Sequence, residues 1–96
     1  MELKCCICGT EFVGYGNNAE PIRKGVCCDK CNAKHVIASR FLPLRNVSYE
    51  IVKNENEKKE LIEMLKENNF ELRKIMSSNI LYYNPENDEN VVICIL

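Results

Sequence analysis

The chain contains no run approaching the roughly 18 apolar residues that a bilayer-spanning helix requires, which predicts a protein that does not cross a membrane. Its N-terminus, Met-Glu-Leu-Lys-Cys-Cys, lacks the basic segment followed by an apolar one that marks a secretory leader, so the cytoplasm is the expected location. There is a single histidine, His35. No serine, cysteine or carboxylate stands at a telling spacing from it, so acid–base and nucleophilic catalysis have no candidate constellation and no catalytic residue is assigned. Repeats, low-complexity tracts and long linkers are absent as well. Charge of one sign is not in excess, for 13 Lys and Arg face 14 Asp and Glu. Residues 1–46 carry seven basic against four acidic side chains, a net +3, and residues 47–96 carry six against ten, a net −4. Four metal-bound thiolates would lower the first value to +1, well short of the positive excess of a surface built to coat phosphates.

What the chain does have is cysteine: seven in 96 residues, six of them in the first third. An odd number in a reducing compartment argues for metal thiolates plus spare thiols rather than a disulfide framework. Cys5-x-x-Cys8 and Cys28-x-x-Cys31 are separated by nineteen residues, a spacing that lets two tight turns grip one tetrahedral Zn²⁺. A closed Cys₄ site leaves no coordination position for water, so one structural zinc is expected. Cys6 and Cys27 adjoin ligands and offer competing registers, but only Cys5 and Cys28 complete the x-x pairs. His35, four residues after Cys31, would share its face of an α-helix and is the alternative ligand. A piece of about 45 residues buries too little apolar surface to fold without such a staple.

Along the first half, Cys8-Gly9 predicts a knuckle whose glycine takes positive φ. Thr10–Val13 reads as a short strand, Gly14–Asn18 as a turn, Pro21–Arg23 as the start of a returning strand, and Cys28 onward as a helix with Val36, Ile37 and Phe41 on its apolar face. Knuckle, irregular hairpin, then a helix with two ligands in its first turn resembles a treble-clef zinc finger at residues 5–40. More narrowly, Cys-x-x-Cys-Gly-x-x-Phe-x-Gly-Tyr-Gly-Asn-Asn-Ala-Glu-Pro-Ile, Gly-x-Cys-Cys-Asp-x-Cys-Asn and Val-Ile-Ala-x-Arg are together similar to a group of small zinc-finger proteins from bacteria and their phages. That resemblance implies a fold and a metal but no established activity, an accessory or anti-host role being the expectation only where the likeness to the phage proteins holds, and it does not extend to the second half.

Pro43 is expected to end the helix, with a junction at residues 42–46 dividing a zinc-finger module, 1–46, from a second unit, 47–96, packed against it. Val47–Val52 alternates as a half-buried strand. Asn54 and Glu57 form a capping-box-like start to a helix over residues 55–68, with Leu61, Ile62, Leu65 and Met64 as candidates for its apolar stripe and Asn68-Asn69 as its stop. Phe70–Met76 is a weak strand, whereas Asn79–Tyr83 and Val91–Leu96 around a polar turn read as a hairpin, Cys94 being a core residue. The expected class is therefore small α+β, a treble-clef-like finger followed by a β-α-β-β or β-α-β-β-β unit.

Functionally, the expectation is a non-enzymatic interaction module that binds another protein, with a homodimer through an edge strand as a second mode, the edge being the terminal strand Val91–Leu96. The first alternative is a nucleic-acid-binding regulator using Lys30, Lys34 and Arg40, with Tyr15 stacking on a base. The second is a thiol redox sensor using Cys6 or Cys27.

Overall fold

The computed structural model describes residues 2–42 and 45–96. It is a small mixed α+β protein, divided into two compact units, Met1–Pro43 and Leu44–Leu96. Pro43, the residue to which the sequence assigns the helix stop, lies outside the described residues. No helix among the described residues is long and apolar enough to cross a membrane.

In the first unit β1 (Glu2–Lys4) pairs antiparallel with β2 (Glu11–Val13), and β3 (Asn17–Asn18) with β4 (Val26–Cys27). The returning strand expected at Pro21–Arg23 is a turn instead, closed by Ile22 and Arg23 N–H groups on the Ala19 carbonyl at 3.0 and 3.2 Å. The pairing falls to Asn17–Asn18, because positive φ at Gly14 and Gly16 lets the chain reverse before that point. After β4, α1 (Asp29–Cys31) continues through a π-helical stretch, Asn32–Val36, into α2 (Ile37–Arg40), a single helical run over residues 29–40.

The second unit contains β5 (Val47–Val52), α3 (Glu55–Glu67), β6 (Glu71–Ile75), β7 (Asn79–Asn84) and β8 (Glu89–Ile95). Both ends of α3 are set by local chemistry. At its start the Asn54 side chain accepts from Glu57 N–H at 2.9 Å, while the Glu57 carboxylate reaches back to Lys53 N–H at 2.7 Å, which satisfies one unpaired donor of the first helical turn and the N–H of the residue before the cap. At its end Asn69 adopts φ +68, and the Phe70 and Asn69 N–H groups donate to the Leu65 and Lys66 carbonyls at 2.9 and 3.2 Å. This is a Schellman stop with asparagine in place of glycine.

The four strands lie in the order β5-β8-β7-β6, with β5 parallel to β8 and the other pairs antiparallel. The unit is thus β-α-β-β-β, because Glu71–Ile75 does pair with β7, across a bulge between Leu72 and Lys74. The helix lets β5 run parallel to a strand forty residues on, as a crossover must. It also places the terminal strand in the middle. Val91, Val92, Ile93 and Cys94 are all buried, and a continuous apolar run of this kind suits a central strand. The expectation of an edge at Val91–Leu96 is therefore corrected: the sheet edges are β5 and β6. Val52, Leu65, Ile80, Tyr82, Val91 and Ile93 form the core, flanked by Leu61, Ile62, Phe70 and Ile95. Met64 is exposed, so the helix's apolar stripe is narrower than the sequence allows.

Candidate metal centre

Two turns build the centre. In the first, Gly9 N–H donates to the Cys5 carbonyl and Cys5 N–H to the Thr10 carbonyl, both at 2.9 Å, and Gly9 takes φ +79. This curls the backbone so that the Ile7 and Cys8 N–H groups point at Cys5 Sγ, each at 3.4 Å. In the second, Cys28 is the extended residue that caps α1, and Cys31 falls in its first turn. The turns are tied together by Cys6 N–H on the Val26 carbonyl at 3.0 Å, and Arg23 braces the first by donating to the Cys6 carbonyl at 3.0 Å.

The Sγ atoms of Cys5, Cys8, Cys28 and Cys31 all lie within 4.8 Å of one another, forming a group able to hold a metal ion. Sulfurs at about 2.3 Å from a tetrahedral ion stand about 3.8 Å apart. Cys8 Sγ and Cys28 Sγ are separated by 3.8 Å. Exposure is uneven, since Cys5 and Cys31 are buried whereas Cys8 and Cys28 are half-buried.

The thiols differ in acidity for identifiable reasons. Burial raises Cys8, but the Thr10 hydroxyl and N–H, together with the Cys5 and Cys31 thiols, more than offset it and bring Cys8 down to about 6. Cys5 is likewise raised by burial and lowered further by the N–H groups of Cys8, Cys28 and Ile7, with a net downward shift. Cys31 moves the other way, raised first by burial and then by hydrogen bonds to the three neighbouring thiols. Within the folded unit the first turn therefore favours thiolate, and Cys31 is the last of the three to give up its proton.

The remaining sequence candidates separate. His35 is buried but is not one of the four clustered residues. It lies in the π-helical stretch, where Ile37 N–H reaches back five residues to the Asn32 carbonyl. Arg40 is committed to the fold: its Nε donates to the Glu20 carbonyl at 3.0 Å and its Nη2 to the Asn18 carbonyl at 3.1 Å. Lys30 and Lys34 are exposed. Burial pushes the Cys27 thiol up to about 11 and also raises Cys6, the opposite of what a reactive thiol requires. Cys94 is raised to about 12 by burial in the second unit's sheet. Sequence reasoning missed Thr10 and Arg23. The signal for Thr10 was its place directly after Cys8-Gly9; for Arg23, whose target is a carbonyl seventeen residues away, there was none.

A compact four-thiol centre within a two-unit α+β chain is the class of site the geometry defines. No protein-family model, curated protein or solved structure matches the chain.

Proposed function

We propose that the chain is a zinc-stabilised, non-enzymatic module that binds another protein, with residues 5–40 arranged as a treble clef around one structural Zn²⁺. Four cysteine sulfurs within 4.8 Å of one another suit Zn²⁺, and a closed donor set of this kind holds a fold together rather than activating water. The order of knuckle, short paired strands and a helix carrying the second pair supports the treble-clef reading.

One observation carries the choice of partner. Val13 and Tyr15 are 79% and 99% exposed, on a groove of about 600 Å³ lined by Leu3, Val13, Gly14, Tyr15 and Val26. That lining contains no charged side chain. Exposed apolar rims with a tyrosine are what protein partners use as anchor sites, whereas a phosphate backbone gains nothing from valine. The nucleic-acid alternative is weakened in turn by the engagement of Arg40 with two carbonyls. Such a module acts as an accessory or regulatory factor by occupying its partner.

Native mass spectrometry of the purified chain, with and without chelator, tests the metal, and one zinc per chain is the expected result. Fluorescence anisotropy against generic duplex DNA and single-stranded RNA at low salt tests the partner class. No association is expected; steeply salt-dependent binding that weakens in Lys30→Ala or Lys34→Ala would instead establish the nucleic-acid reading.

A further inference from the structure

The four thiols are not equivalent toward reagents arriving from solvent. Cys5 is 2% and Cys31 3% exposed, so their sulfurs form the floor of the cluster. Cys8 and Cys28 form an accessible lip with their Sγ atoms 3.8 Å apart. Their hydrogen bonding differs as well. Cys5 Sγ accepts from the Ile7 and Cys8 N–H groups at 3.4 Å, with the Cys28 N–H also acting on it, and Cys8 is served by the hydroxyl and N–H of Thr10. Cys28, although it caps α1, makes no side-chain capping hydrogen bond, and the partners of its sulfur are the Cys8 and Cys31 thiols. An N–H or O–H donor draws more electron density from sulfur than a weakly donating thiol does, so the lip sulfur whose partners are thiols retains the most nucleophilicity.

We propose that Cys28, with Cys8 as the resolving sulfur, is the site at which peroxides modify this protein and open its metal centre. This rests on the zinc reading given above. The Cys28 sulfur attacks one peroxide oxygen, the O–O bond breaks, and the departing oxygen takes up a proton to leave as water, giving a sulfenic acid. The Cys8 thiolate then attacks the Cys28 sulfur, the S–O bond breaks, and a second protonated oxygen leaves as water. Two thiolates have lost two electrons and hydrogen peroxide has gained them. Cys5 and Cys31 alone would not complete a tetrahedral donor set, so they would release a bound Zn²⁺ and regain their protons. The new bond joins two turns twenty positions apart in sequence, so the oxidised unit stays cross-linked where chelation would leave its turns unjoined.

The test uses the full chain carrying Cys6→Ser, which removes the half-buried spare thiol without touching the four ligands, titrated with substoichiometric hydrogen peroxide. Native mass spectra taken before oxidant show whether zinc is bound, and its absence at that point is failure of the zinc reading itself. With zinc present, the expected result is ion loss in step with the loss of two hydrogen atoms from the chain. Non-reducing tryptic maps should then join residues 5–23 to residues 25–30, with fragment ions assigning the bond to Cys8 and Cys28 rather than Cys27. In the native sequence, limiting N-ethylmaleimide should label Cys28 at least about tenfold faster than Cys5 or Cys31. A first disulfide within Cys5–Cys8 or Cys28–Cys31, oxidation with zinc retained, or equal labelling of lip and floor would overturn the proposal.

Discussion

Gly9 and Gly16 allow the packing around the first turn to be measured against an internal control. Both are left-handed, at φ +79 and +76, so an alanine at either position incurs about the same backbone cost, about 1–2 kcal/mol. Their surroundings differ. A Cβ on Gly9 would meet only Lys4 Cε at 4.0 Å, whereas a Cβ on Gly16 would stand 2.9 Å from Phe12 Cζ and 3.1 Å from Val26 Cβ. The Phe12 ring can tilt, but Val26 Cβ moves only if β4 moves, so Gly16→Ala adds an overpacking cost of about 1–3 kcal/mol. On the zinc reading folding of the first unit and ion binding are one equilibrium, so these costs appear in zinc affinity, read by competition with a chromogenic chelator. Gly9→Ala should weaken zinc about 5- to 30-fold, and Gly16→Ala a further 5- to 150-fold at about 1.4 kcal/mol per decade. Equal affinities for the two variants would refute the reasoning, since they would show that the Phe12 and Val26 contacts impose nothing beyond the φ angle.

In the second unit, Leu65→Ala should cost about 2–5 kcal/mol because the side chain sits in the core, whereas Met64→Ala on the exposed neighbour should change little, with urea unfolding followed by circular dichroism as the measurement. Removing the α3 cap by Asn54→Ala should cost about 1 kcal/mol by the same assay, with hydrogen exchange at Glu57 N–H accelerated because its 2.9 Å acceptor is lost. Because the unit folds with the ion, the four thiols start from the ordinary cysteine value of about 8.5 and each gives up a proton on binding. Zinc affinity should therefore rise with pH by about four protons per ion between pH 5 and 7, which potentiometric competition reads directly. A slope clearly below four at pH 7 would show that the first turn is formed before the ion arrives, with Cys8 already ionised.

Much of the local structure was legible because its causes are local. Two Cys-x-x-Cys turns, the glycine after Cys8, the asparagine cap and stop of α3 and the alternation of Val47–Val52 each act within a few residues, and each appears where the sequence places it. The turn strand was misplaced to Pro21–Arg23 because pairing of Asn17 with Cys27 depends on how two glycines reverse the chain, not on the propensity of the residues that pair. His35 is buried but stands outside the group of four sulfurs, which its four-residue spacing from Cys31 could not reveal, because spacing along a helix does not say how far a side chain lies from groups on another turn.

The amino-acid sequence by itself determined that four cysteines in two turns can surround a tetrahedral ion and that a helix and several strands follow. Only the tertiary structure decided where the apolar terminal strand lies. An apolar run records how much surface must be buried but not which neighbours bury it, and the parallel pairing of β5 with β8 leaves that strand with no free edge. It also decided what Arg40 does, since a guanidinium is equally suited to a phosphate and to two carbonyls, and only the return of the chain beside Asn18 and Glu20 selects the latter. The division of equivalent-looking cysteines into floor and lip has the same origin: exposure and hydrogen bonding belong to the folded backbone, not to the residue type.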